Sequence, residues 1–152
     1  YLPAPEQVAR VIQRNLLDVG LDTELVVQDM SVHLTDVYGG KHDLCLLGWS
    51  GDNGDPDNFL SVLLDEDNSV AGVTRNVAFY RNTELHELLV RAQVSGERRE
   101  RDRIYRKAQE IIANDAPWVP LAHSQLAVAS RRDVEGLALH PSGIVYYAGV
   151  WR

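Results

Sequence analysis

The chain of 152 residues carries a single cysteine, a single methionine and two phenylalanines. No apolar run approaches the roughly eighteen residues that a membrane span requires. With Cys45 alone, an intrachain disulfide and a multi-cysteine zinc site are excluded. Its place in the apolar run DLCLLGW makes a buried, inert thiol the expected state. Positive charge is also short: fifteen Lys and Arg against twenty-two Asp and Glu leave a net charge of −7, which argues against nucleic acid as a partner. The basic residues that do cluster, Arg98, Arg99, Arg101 and Arg103, alternate with Glu97, Glu100 and Asp102, the pattern of a solvated, salt-bridged helix face. Signatures of catalysis are missing too. His33, His42, His86, His123 and His140 form no HExxH or comparable ligand spacing, and there is no GxSxG elbow, P-loop or dinucleotide fingerprint. No motif of catalytic, metal or cofactor chemistry is therefore present. The opening YLPAPEQ lacks the basic and apolar regions of a signal peptide. Because it also starts abruptly, the chain reads as an excised piece of something longer.

What is present is ordinary for a folded domain, with 45% apolar and 24% charged residues. Pro3 and Pro5 precede Val8, Val11, Ile12 and Leu16 at helical spacing, and Gly20 follows as a stop. TELVVQ reads as a strand, MSVHLTDVYGG as a short helix, and HDLCLLGW as a buried strand, an order that predicts an α/β unit with parallel pairing. An irregular stretch runs to about Asn82. Two apolar stripes then predict core-facing helices: Leu85, Leu88, Leu89 and Ala92, and after the turn SGERR, Ile104, Ala108, Ile111 and Ile112. From Arg131 onward the residues favour short strands separated by Gly and Pro.

The most distinctive stretch is GWSGDNGDPDNFL at 48–60, which crowds three aspartates and two asparagines between apolar runs. A calcium loop fails in register, since counting from Asn53 puts Asn58 where Gly is needed and Leu64 where a bidentate Glu is needed. A carboxylate pair from Asp52, Asp55 and Asp57 for acid and base work stays open as the alternative, a hydrolase or metal-dependent module. Helix-start chemistry accounts for two of the three. Asp55 before Pro56 is an N-cap and first-turn pair, and Asp57 then favours the helix dipole. Asp52 is left over, at the carboxyl edge of the expected strand where open α/β sheets place ligands. A carboxylate there, beside Trp49, suits a cationic ligand group.

This stretch closely resembles the segment found in dipeptide- and oligopeptide-binding proteins of ABC importers, the family 5 extracellular solute-binding proteins. PEQVARVIQRNLLDVGLDTELVVQD, AQEIIANDAPWVPLAHS and VEGLALHPSG fall in the order that family shows, so the resemblance covers nearly the whole chain as a C-terminal portion. It implies an α/β periplasmic-binding-protein-like lobe, with a mixed sheet flanked by helices and C-terminal strands returning toward a missing lobe. Residues 1–124 would form half of one ligand-binding lobe, and 125–152 a hinge-crossing tail. It further implies that Asp52 pairs with the α-ammonium group of a peptide, that the backbones of Gly48 and Ser50 bond to the peptide main chain, and that Trp49 lines a side-chain pocket. The arginine that holds a dipeptide carboxylate would precede Tyr1. The implied activity is capture of a peptide or other small solute outside the cytoplasm, in the periplasm or at a membrane anchor, and its delivery to an ABC permease. Nickel, haem and glutathione binders share the scaffold. The isolated chain is expected to expose apolar surface and to self-associate through the tail.

Overall fold

The computed structural model describes residues 3–51, 53–123, 125–140 and 142–152. Five helices lead to a small hairpin: α1 (Pro5–Asp18), α2 (Met30–Tyr38), α3 (Asp57–Leu64), α4 (Thr83–Val94) and α5 (Arg98–Asp115), then β1 (Ala138–Leu139) and β2 (Val145–Tyr146). A 3₁₀ turn, Glu66–Asn68, follows α3.

The core sits among α3, α4 and α5. Leu63 and Leu64 meet Leu85, Leu88, Leu89 and Ala92 of α4 and Ile104, Tyr105 and Ala108 of α5 in one buried cluster, with Ile111 and Ile112 partly buried at its edge. These are the two stripes that the helical spacing predicts. The Asn82 side chain starts α4 by accepting from the N–H of Leu85 at 3.0 Å, and a three-residue connection turns α4 back into α5.

The irregular stretch from 65 to 82 is fixed by polar groups. Asn76 is fully buried, and its amide donates to the carbonyls of Asp65 (3.0 Å) and Tyr80 (2.8 Å) while accepting from the N–H of Tyr80 (3.2 Å). Thr74, also buried, donates to the carbonyls of Asn68 and Asn76. These bonds tie together backbone groups of a segment that lacks a regular helix or sheet ladder.

Asp65 joins this stretch to α4. Its buried carboxylate lies 2.8 Å from Nδ1 of His86 and accepts the N–H of Asp67 at 3.0 Å. The hydrogen bond to Asp65 raises the pKa of His86 above its ordinary value, against partial burial, and the charges of Asp65, Asp67 and Glu66 add to it. A raised histidine pKa contributes stability that is fully present below the unfolded value and is lost as pH rises through the folded one. The melting temperature is thus expected to fall as pH rises from the ordinary histidine value of about 6.5 through the higher folded one, with a flatter profile in His86→Gln. Parallel profiles for the two proteins would contradict this.

Outside the core the packing thins. Helix α1 ends in a Schellman turn, in which the N–H of Leu21 donates to Leu16 O and that of Gly20 to Leu17 O, with Gly20 at φ 88. Yet none of its residues is buried. The expected strands at 23–28 and 42–49 pair with nothing among the described residues, and the expected β-α-β ladder is absent there; the only sheet is the antiparallel β1–β2 hairpin. Val26, Val27 and Leu44 are exposed instead. A strand cannot satisfy its own backbone groups, and among the described residues no other strand pairs with either run. The second run is held by side chains: His33 Nε2 lies 3.3 Å from the carbonyl of Leu46, and His42 Nε2 lies 2.9 Å from that of Val77.

Candidate functional site

The second apolar run delivers residues 48–51 to the edge of the helical core. Gly48 is half-buried, Ser50 is exposed, and the half-buried Trp49 packs against the core cluster. The indole Nε1–H of Trp49 is buried without an acceptor among the described residues. Gly51 is required by a close approach: a Cβ there would lie 2.6 Å from Cε2 of Phe59. Asp52 lies outside the described residues, so its expected role stays an expectation.

The other two aspartates face the protein. Asn53 Oδ1 accepts the N–H of Asp55 at 2.9 Å, and Asp55 Oδ1 accepts the N–H of Asp57 at 3.0 Å, two successive side-chain turns. Helix α3 begins at Asp57, with Pro56 rather than Asp55 in the cap position. The Asp55 carboxylate still satisfies a first-turn donor, so the helix-start reading holds with a shift of one residue. Nη2 of Arg101 lies 2.6 Å from both oxygens of Asp55 and 3.1 Å from the hydroxyl of Tyr105. Burial raises the pKa of Tyr105 above its ordinary value; Arg101 opposes the rise and Asp55 adds to it. Asp57 Oδ1 accepts from Ser61 Oγ at 2.5 Å and from Gln93 Nε2 at 3.0 Å.

Both oxygens of Asp55 and Oδ1 of Asp57 are thus engaged by α3, α4 and α5, the arrangement of scaffold carboxylates. Among the described residues, the group whose oxygens and nitrogen could share a cation is Asp65, Asp67 and His86, away from the loop, and its closest contact is the His86–Asp65 bond that ties α4 down. Sequence reasoning missed Arg101. It stands 46 positions after Asp55, among arginines read as a solvated face. That reading holds for the exposed Arg98, Arg99 and Arg103, whereas Arg101 is partly buried.

Residues 1–70 match the family described as bacterial extracellular solute-binding proteins, family 5 Middle. That match takes in just under half of the chain, 70 of its 152 residues. It is 37% identical to an ABC transporter-associated periplasmic binding protein from Helicobacter pylori, solved with the peptide STSA, with a TM-score of 0.73 over 76% of this chain and 22% of that one. It is 32% identical to a dipeptide-binding protein from Pseudoalteromonas sp. SM9913, solved with Met-Leu, with a TM-score of 0.81 over 95% of this chain and 28% of that one. A curated relative, heme-binding protein A of Haemophilus influenzae, is 35% identical over 97% of this chain and 26% of its own length. The chain spans 26% of the length of the curated relatives it matches first. Its fold is accordingly that of part of an α/β periplasmic-binding-protein lobe, although the described residues are mostly helical. These matches are named for solute and peptide binding, and they lend no support to the hydrolase reading of residues 52–57.

Proposed function

We propose that the chain forms part of the ligand-binding wall of a periplasmic peptide carrier, which captures a di- or oligopeptide and passes it to an ABC permease. The observation that carries this reading is the match, along 95% of the chain, to a dipeptide-binding protein holding Met-Leu. In this reading Asp52 pairs with the peptide ammonium, Gly48 and Ser50 offer backbone groups to an extended ligand, and Trp49 borders a side-chain pocket. The positions of Asp55 and Asp57 favour Asp52 by elimination, since both are committed to the scaffold. Residues up to 124 belong to one lobe and 125–152 return toward the other. Exposed Tyr147 and Trp151 on the terminal hairpin suit such a crossing.

Solute choice is tested by titrating the full-length protein with Met-Leu and with haem, because the haem-binding relative is as similar as the peptide binders. Saturable Met-Leu binding, with haem inert, is the expected result; the reverse selects the haem reading. Trp49 supplies a local reporter, since its indole loses water when a ligand closes over it. Trp49→Phe is expected to abolish most of the ligand-induced fluorescence change. A change that survives intact would place Trp49 away from the ligand.

A further inference from the structure

We propose that Arg101 is the positioning residue of the acidic loop, holding Asp55 and, through it, Asn53, on which the ligand affinity of that loop depends. The inference rests on the peptide-binding reading above. Its geometry is a relay from the core outward. Tyr105 is buried in the core cluster, and its hydroxyl lies 3.1 Å from Arg101 Nη2 while its ring centroid lies 5.4 Å from the guanidinium carbon. That nitrogen meets both oxygens of Asp55 at 2.6 Å. The N–H of Asp55 in turn donates to Asn53 Oδ1. Asn53, the residue after Asp52, is therefore linked through Asp55 to Arg101. A lysine offers neither the planar contact with Tyr105 nor a fixed donor array.

The same pair contributes little to global stability. Cavities of about 350 and 330 Å³ adjoin it, each lined by both Asp55 and Arg101, so solvent reaches the charges. Ion pairs that solvent screens in this way, here with the side chains 25% and 42% exposed, stabilise folds modestly. Loss of Arg101 should therefore register in ligand affinity and loop order before it registers in unfolding.

The test uses the full-length protein with Met-Leu as probe. Arg101→Met and Asp55→Asn are each expected to lower affinity about tenfold, at the low end of what losing an orienting partner costs at metal sites. The double variant should lose no more than either single one, because one interaction is being removed twice. Backbone amides at 50–55 should exchange hydrogen faster in each variant, while α4 and α5 keep their protection. Asp55→Asn retains an acceptor for the Asp57 N–H, so it carries the test if Arg101→Met does not fold. Wild-type affinity in a folded Arg101→Met protein would overturn the proposal, as would faster exchange spread evenly through α4 and α5. Asp52→Asn separates the two layers: if it binds Met-Leu as tightly as wild type, the peptide reading of Asp52 has failed, and the exchange measurement alone then decides whether Arg101 orders the loop.

Discussion

Asp52→Ala in the full-length protein is expected to weaken Met-Leu binding by roughly 2 to 5 kcal/mol, the usual cost of stranding one partner of a buried charge pair. Asp57→Ala, five positions on, should behave differently. Its carboxylate accepts from Ser61 and Gln93, so its removal strands donors of the scaffold and none of the ligand. Stability should drop by about 1 to 2 kcal/mol, with affinity nearly unchanged. Calorimetric titration and thermal melts of the two variants check the contrast. Equal affinity losses would erase the distinction between a ligand-facing and a structural aspartate.

Asn76→Ala is expected to cost about 3 kcal/mol of folding stability, at about 1 kcal/mol for each of three bonds lost. The side chain is fully buried, and its removal leaves the Tyr80 N–H and carbonyl without their side-chain partner and takes a donor from the Asp65 carbonyl. The damage should spread. Asp65 anchors His86, and Tyr80 reaches the end of α5 through its hydroxyl bond to Asp115. Denaturant melts measure the loss, and a value under about 1 kcal/mol would mean that water replaces the amide at little cost.

What could be read from the sequence follows the range of the interactions. Leu85, Leu88, Leu89 and Ala92 lie on one helical stripe because burial repeats with the helix period, and all four are buried. Asp55 was legible as a helix-start residue because its partner is two positions away. Its bond to Arg101 was not, since nothing local marks one arginine among four as the one that reaches the loop. Nor was the network around Asn76. A stretch of polar residues looks the same whether it faces water or folds inward onto its own carbonyls. The runs at 23–28 and 42–49 have strand composition, but a strand is completed by its neighbour, and this chain spans 28% of the dipeptide-binding protein it superposes on. For Asp52 the sequence supplied an argument by elimination, which the engagement of Asp55 and Asp57 strengthens.

The central claim is that the acidic loop supplies the carboxylate that recognises a peptide's free amino terminus. It is tested most directly by calorimetric titration of the full-length protein with Met-Leu and with N-acetyl-Met-Leu, side by side in wild type and Asp52→Ala. Acetylation removes the ammonium charge and leaves the side chains intact. The account predicts that wild type rejects the acetylated peptide by on the order of a hundredfold, about 2.7 kcal/mol, and that Asp52→Ala no longer discriminates between the two. Discrimination that persists undiminished in Asp52→Ala would contradict it.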